Sequence, residues 1–212
     1  MNLNFYKRNQ VEDAIALAMD MRSAKEKSDL RTRVKRLLDI DRTSGRNLRS
    51  SDPERLNYAF YSKDSPGKGY EVIFSDYEAF ALQIGLRMLR HNWPQGFVVS
   101  ILRRIRPELE QKHRQILCQN PNALFSFEQD TSPGSVPQTN ANPQFLLIVS
   151  EYDNKSDSEN SYARLFQDQA SAFKFQLERS GRSCTWLELV TPAFVLRRYL
   201  QEAEPRKRGR SG

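Results

Sequence analysis

Between Leu30 and Asp41 the chain reads LRTRVKRLLDID, in which basic and apolar residues recur at helical spacing. On a helical wheel one side carries Leu30, Val34, Leu37, Leu38 and Ile40. The other side carries Arg31, Thr32, Lys35, Arg36 and Asp39. An arginine can hydrogen-bond two guanine acceptors at once, and a lysine more often contacts a phosphate. This second side is therefore a candidate DNA-binding surface, and the alternative is a solvated basic helix face.

More cations follow in a loop and a predicted hairpin. The loop RTSGRNLRSSDPERLN contains Arg42, Arg46 and Arg49, which are candidates for phosphate contacts or for crossing the minor groove. The aromatic and β-branched runs YAFYS and YEVIF predict two strands, joined by KDSPGKG as a flexible tip with Lys63 and Lys68. A narrow tip with two glycines can reach phosphates beside a groove. The alternative is an ordinary surface hairpin.

The C-terminal residues PRKRGRSG form a third cationic segment. They carry four positive charges, on Arg206, Lys207, Arg208 and Arg210. An Arg-Gly-Arg segment is slender enough to act as a minor-groove arm. A disordered tail that increases solubility is the alternative.

Other chemistry finds little support in the sequence. His91, His113, Cys118 and Cys184 are the only histidines and cysteines, and they form no pattern of metal ligands or of a nucleophile with its base. No glycine-rich phosphate loop follows a strand. We therefore expect no enzymatic activity, no metal and no cofactor.

Charge and hydropathy indicate the class of partner and the compartment. The formal net charge is +7 and the sequence pI is about 9.5, which favours polyanionic partners. The N-terminus lacks the apolar run of a signal peptide, and the longest apolar stretch, Phe145 to Val149, is too short to span a bilayer. These features predict a cytoplasmic, nucleoid-associated protein with no membrane partner.

Composition also divides the chain. Residues 120–144 are rich in Pro, Ser, Thr, Asn and Gln, which predicts a flexible linker. The sequence thus predicts a DNA-binding domain over 1–119, a small α/β module over 145–204 and a disordered basic tail over 205–212. Residues 22–55 hold eleven Lys and Arg against six Asp and Glu, whereas residues 120–170 hold two against seven. The opposite charges predict different roles for the two domains.

Capping signals predict where the N-terminal helices begin. Asn9, with Glu12 three residues later, predicts the start of a first helix that continues to about Lys27. Ser28 or Asp29 can cap a second helix over LRTRVKRLLDID. Two helices with a tight polar turn between them are a helix-turn-helix candidate.

Similar signals predict the later elements of the first domain. Ser75 with Glu78 predicts a third helix, which is apolar around most of its circumference. Pro94 suits the first turn of a fourth helix, and Pro107 predicts a break or kink in it. Ile116 and Leu117, beyond this proline, and Phe125 and Phe127 further on have no evident intradomain partner. Ile116 and Leu117 are expected to be exposed, and this stretch or the C-terminal module is predicted to make a two-fold contact.

The C-terminal module is predicted from four segments. FLLIVSEY predicts a buried strand, YARLFQDQASAFKFQLERS a helix, TWLELV a second strand and FVLRRYLQEAE a last helix. The whole chain is expected to be α+β and mainly helical, with a winged helix-turn-helix N-terminal domain and this small C-terminal α/β module.

The order of these elements resembles the MerR-like winged-helix transcription regulators over about residues 9–110. GYEVIFSDYE is similar to the family's wing strand and its junction with the next helix, and LRMLRHNWPQGFVVSIL is similar to the helix pair behind the wing. The resemblance implies that Arg31, Thr32, Lys35 and Arg36 lie on a recognition helix. The chain departs from the family in its longer loop over 42–57 and in lacking a long dimerising helix and metal-ligand cysteines.

We therefore expect a sequence-specific double-stranded DNA-binding transcription regulator that acts as a homodimer. The alternative is a non-catalytic interaction or scaffolding protein with only nonspecific affinity for nucleic acid. A preferred site that survives physiological salt distinguishes the first from the second.

Overall fold

The computed structural model describes residues 4–62, 72–121, 145–150, 162–178 and 183–204. It is mainly helical with two small sheets, and none of the described helices combines the length and hydrophobicity needed to cross a membrane. The chain forms two compact units, Met1–Pro107 with Val195–Gly212, and Glu108–Phe194. This division differs from the predicted boundaries, because it begins the second unit earlier and assigns the C-terminal residues to the first.

The first unit opens with a short strand and two helices. Strand β1 spans Phe5–Lys7, helix α1 Arg8–Ala18 and helix α2 Ala24–Ser44. The α1 start predicted at Asn9 is wrong, because the Lys7 amide donates to Gln10 Oε1 at 2.9 Å and the helix has already begun. Helix α1 also ends well before Lys27. Asp20, with a φ of 55°, reverses the chain after it.

Helix α2 begins earlier than predicted. Ser23 is its N-cap and accepts from the Glu26 amide at 3.1 Å, while Glu26 accepts from the Ser23 amide at 2.9 Å. These two reciprocal hydrogen bonds satisfy two backbone N–H groups that would otherwise have no partner in the first turn. Ser28 and Asp29, the predicted caps, therefore lie inside the helix. Two consecutive helices are present, with five residues, 19–23, between α1 and α2.

The remaining elements of the first unit include a short helix α3 over Pro53–Leu56, strand β2 over Ile73–Ser75 and helix α4 over Asp76–Arg90. The predicted capping box of α4 is confirmed, because Ser75 Oγ accepts from the Glu78 amide at 3.3 Å and Glu78 from the Ser75 amide at 2.8 Å. Strand β2 pairs antiparallel with β1, with Tyr6 opposite Phe74.

This pairing overturns the predicted hairpin between YAFYS and YEVIF. Within the described residues the second run pairs with the N-terminal strand, and the first run, 58–62, forms no strand. Side chains replace the expected ladder. Asp41 accepts from the amides of Ala59 and Phe60, and Arg106 donates to the carbonyls of Tyr58 and Tyr61. Four backbone groups of this segment are thereby satisfied without a strand partner.

Helix α5 spans Gln95–Leu117 and continues through Pro107, so the proline does not break it. The core of the first unit lies where α2, α4 and α5 meet. A Cβ on Gly85 of α4 would lie 3.2 Å from Leu102 of α5 and 3.4 Å from Leu37 of α2, so any larger residue would force these side chains to shift. Phe80 and Ile84 are fully buried, as the apolar α4 pattern indicates.

The second unit contains a three-stranded antiparallel sheet in the order β4-β3-β5. Strands β3, β4 and β5 span Phe145–Ser150, Tyr162–Phe166 and Ser183–Glu188, and helix α6 spans Gln169–Leu177. Helix α7 spans Val190–Glu202, and its residues from Val195 onward belong to the first unit. YARLF is thus a strand rather than the predicted start of a helix. Ile116 on α5 is buried, so its predicted exposure is also wrong.

Candidate nucleic-acid interface

The outward face of α2 carries the predicted DNA-contacting residues. Leu30, Val34, Leu37 and Leu38 are buried, so the residues between them point to solvent. The exposed residues of this face are Arg31, Thr32, Lys35 and Arg36, together with Arg33, which the sequence interpretation omitted. The basic face is therefore broader than predicted, and it carries no acidic residue between positions 30 and 38.

Two residues of this face are engaged within the protein. The Arg31 guanidinium lies 3.8 Å from Glu12 Oε2 and 3.7 Å from Asp13 Oδ1, both on α1. Arg31 is half exposed, so these pairs contribute little to stability and can be exchanged for a phosphate. Thr32 Oγ1 donates to the Ser28 carbonyl at 3.1 Å.

Three cations between positions 30 and 38 of α2 remain available. Arg33, Lys35 and Arg36 are exposed, and none of them forms an ion pair or hydrogen bond with another described residue. A positive charge that is not held in an ion pair can be offered to an incoming anion. This set of three residues is named the α2 cation set below.

Beyond these residues, the end of α2 leads directly into the basic loop. Gly45, with a φ of 60°, caps the helix in a conformation that favours glycine. Arg42 in the last turn pairs with Asp39 at 2.7 Å. The Arg46 guanidinium lies 5.5 Å from the centre of the Tyr58 ring, a cation–π distance, and Arg49 is exposed.

A buried ion pair fixes this loop against the helices. Asp41 and Arg103 are 0% and 4% exposed, and Arg103 Nε donates to Asp41 Oδ1 at 2.6 Å. Arg103 also donates to the carbonyls of Asp41 and Glu54, and its guanidinium stacks over the Tyr58 ring at 5.3 Å. One α5 arginine thus holds the C-terminal turn of α2, helix α3 and residue 58 together.

A second buried arginine acts in the same way one helical turn later. Arg106 donates to the Tyr58 and Tyr61 carbonyls at 2.7 and 2.6 Å, and its Nη2 lies 3.8 Å from Glu78 Oε1. Glu78 also accepts from the Ser62 hydroxyl. Segment 58–62 is therefore anchored to both α4 and α5.

The other predicted contacts cannot be placed. Lys63, Lys68, Arg206, Lys207, Arg208 and Arg210 lie outside the described residues. The predicted contact residues up to Arg42 thus all lie on α2, and Arg46 and Arg49 lie in the adjoining loop.

One carboxylate at the start of α2 has a shifted pKa. Within the described ranges no three His, Cys, Asp or Glu side chains are close enough to hold a metal ion. Hydrogen bonds from the Ser23 side chain and backbone lower the pKa of Glu26 at the start of α2. This carboxylate therefore remains charged at neutral pH, beside the helix N-terminus that stabilises it.

Sequence reasoning missed Arg33, the Asp41–Arg103 pair and the Arg106–Glu78 pair. One signal was present for the first pair, because Asp41 extends the apolar spacing of Leu30, Val34, Leu37 and Leu38 and must point inward. Its partner, 62 residues away, had no local signal.

Comparison with known proteins adds no relative: no protein-family model, curated protein or solved structure matches this chain significantly.

Proposed function

We propose that this chain is a sequence-specific double-stranded DNA-binding transcription regulator, and that α1, the turn and α2 form its helix-turn-helix. The observation that carries the proposal is the α2 cation set, Arg33, Lys35 and Arg36, exposed and unpaired within the described residues on a helix whose opposite face is buried. A helix with this surface matches the major groove in shape and charge.

The dimensions of α2 support this use. A helix of 21 residues is about 31 Å long, and the major groove is about 12 Å wide and admits one helix. Arginines on such a helix can read guanine, while Lys35 can meet a phosphate. Thr32, at the centre of the outward face, is short enough to let the helix approach the base edges.

The remaining cations are assigned to the backbone in this proposal. Arg42, Arg46 and Arg49 contact phosphates beside the helix. Lys63 and Lys68, which precede β2 in the sequence, and the cations of the C-terminal residues add further phosphate contacts in this proposal. In this proposal the regulator is cytoplasmic and uses no cofactor. It is a homodimer, because a protein with two-fold symmetry matches the two half-sites of a palindromic DNA site.

One observation favours a second candidate, a protein-interaction role for the second unit. Phe173 and Leu177 lie one turn apart on α6 and are both more than half exposed. Neighbouring exposed apolar side chains on one helix suit docking to a partner protein. In this candidate the affinity for nucleic acid is nonspecific.

Selection from a random duplex pool, followed by salt titration, tests the two candidates. A specific regulator enriches one sequence and binds it at least about 1,000-fold more tightly than scrambled duplex at physiological salt. A protein that retains no preferred sequence, and whose binding disappears as salt rises, is the nonspecific scaffold instead.

A further inference from the structure

The loop after α2 contains a fixed turn at residues 47–50. The Ser50 amide donates to the Asn47 carbonyl at 3.0 Å, and Asn47 Oδ1 accepts from the Arg49 amide at 3.0 Å. An asparagine at the first position stabilises such a turn through its side chain. Leu48 and Arg49 consequently occupy the two central positions, at the tip.

The turn is anchored on both sides. The Asn47 amide donates to the Arg55 carbonyl at 2.6 Å, and the Asp52 amide donates to Ser50 Oγ at 3.1 Å. Asp52 caps helix α3, and Glu54 of that helix pairs with Arg104 on α5 at 2.6 Å. A tip that is ordered in advance loses little conformational freedom on binding.

The chemistry of the tip is unusual for a surface turn. Leu48 is 66% exposed, the highest value among the large exposed apolar residues of the described chain. The neighbouring carboxylates already have partners. Glu54 pairs with Arg104, while Asp52 caps α3 and lies 3.9 Å from Arg55. Arg49 has no ion pair with a described residue. The tip is therefore apolar with an available cation beside it.

This combination fits a minor groove. Proteins that bind there place arginines along the groove and insert an apolar wedge such as leucine between two base pairs, which kinks the duplex. A leucine held in solvent contributes no burial free energy to the free protein. Inserted between two base pairs, the same side chain is removed from water, which is favourable. Arginine beside it meets the enhanced negative potential of a narrow groove.

The spacing from α2 is also suitable. About ten residues separate the middle of the α2 cation set from the helix end, which is about 15 Å at 1.5 Å per residue. Half a turn of B-DNA is about 17 Å along its axis, so a turn that lies about this far from the cation set is within reach of the adjacent minor groove.

We propose that the Asn47–Ser50 turn enters the minor groove of duplex DNA, with Leu48 inserted as a wedge and Arg49 along the groove, and that it bends the duplex. This inference rests on the proposed DNA binding and adds a specific mode of engagement. It assigns to this chain the ability to bend DNA.

The test uses the full chain and a selected duplex of about 30 base pairs carrying a donor and an acceptor dye at its two ends. Fluorescence anisotropy measures binding, and energy transfer at saturating protein measures how closely the ends approach. We expect the wild type to bend the duplex by an angle within about 20–90°, Leu48→Ala to lose most of the bend, and Leu48→Met to retain it. Leu177→Ala, at a leucine that is 62% exposed on α6, is the matched control and keeps the bend.

The possible outcomes distinguish a failure of the wedge from a failure of the proposed DNA binding. Tight binding without any change in energy transfer overturns the wedge and leaves DNA binding intact. A Leu48→Ala protein that bends DNA like the wild type but changes its sedimentation makes the turn a protein contact, which also overturns the wedge. No anisotropy change with any duplex overturns both proposals. Unchanged thermal melting of Leu48→Ala shows that its loss of bending is not unfolding.

Discussion

The arginines of α2 and of α5 have the same chemistry and opposite environments. On α2, Arg33 and Arg36 are exposed and have no partner among the described residues. On α5, Arg103 and Arg106 are 4% and 8% exposed. Arg103 donates to the Asp41 carboxylate on α2, and Arg106 donates to the Tyr58 carbonyl in the loop. A run of basic residues in the sequence therefore does not identify a binding surface by itself. Burial and pairing decide which arginines serve the fold and which can serve a ligand.

The contrast has an energetic cause. Burying a guanidinium removes its hydration, which only a carboxylate and several well-placed oxygens can offset. Arg103 has such a set in Asp41, whereas the α2 arginines retain water and need none. The α5 arginines are consequently part of the unit's stability, and the α2 arginines can be replaced without unfolding it.

The largest expected effect is on the buried pair. Replacing Asp41 by Ala leaves Arg103 charged and uncompensated and removes the acceptor of the Ala59 and Phe60 amides. We expect the free energy of unfolding to fall by about 3–5 kcal/mol, measured by urea denaturation.

Asp39→Ala is the matched control for this change. Asp39 lies on the same helix and also pairs with an arginine, Arg42, but is 43% exposed. A loss of at most about 1 kcal/mol is expected there. Equal losses in the two variants would remove the distinction between buried and exposed pairs.

A smaller and more local effect is expected at Arg106. Replacing it by Ala leaves the Tyr58 and Tyr61 carbonyls without their donor, at a cost of about 1–3 kcal/mol. Amide hydrogen exchange should accelerate at residues 58–61, which no strand ladder protects. The control Arg104→Ala, whose arginine is 40% exposed, should leave this exchange unchanged. Slow exchange at 58–61 in Arg106→Ala would show that another contact holds the segment.

The smallest effect concerns the start of α2. Hydrogen bonds from Ser23 lower the pKa of Glu26 in the folded protein below its ordinary value of about 4.5. The charged Glu26 therefore stabilises the fold above the unfolded pKa, and this contribution is lost as pH falls through the lower, folded pKa. Ser23→Ala should raise the pKa of Glu26 toward its ordinary value in an NMR titration. Ser28→Ala, in the same helix, should not. A pKa that is unchanged in Ser23→Ala would mean that the capping box is absent in solution.

Elements with local signals could be predicted from the sequence. The Ser75–Glu78 capping box and the apolar face of α2 each depend on residues within one or two helical turns, and both are confirmed. The α2 start was misplaced because Ser23, Ser28 and Asp29 are all acceptable caps, and only Ser23 is followed by a glutamate at the third position that closes a box.

Features that depend on distant residues could not be predicted. The YAFYS segment has the composition of a strand, but Asp41 and Arg106 occupy its backbone groups from elsewhere in the chain. Strand β2 likewise pairs with Phe5–Lys7, about 68 residues earlier, rather than with its neighbour in sequence. Of the candidate site, the exposed face of α2 was predicted, whereas the anchoring of its loop by Arg103 was not.

If the α2 cation set binds DNA, its removal must weaken DNA binding in a salt titration. The triple variant Arg33→Ala, Lys35→Ala, Arg36→Ala is compared with a control triple at Lys112, Arg114 and Lys174, which removes the same charge from the second unit. Binding to a selected and a scrambled duplex is measured at several salt concentrations, with urea denaturation alongside. We expect both triples to remain folded, to within about 0.5 kcal/mol per substitution.

We expect the α2 triple to lose about 1–3 kcal/mol of affinity for the selected duplex per base-reading arginine, and its salt slope to fall by about one for each lost phosphate contact. The control triple should keep both its preferred sequence and its slope. If the two triples bind the selected duplex equally well, the exposed face of α2 is a solvated surface and the contrast with α5 has no functional meaning.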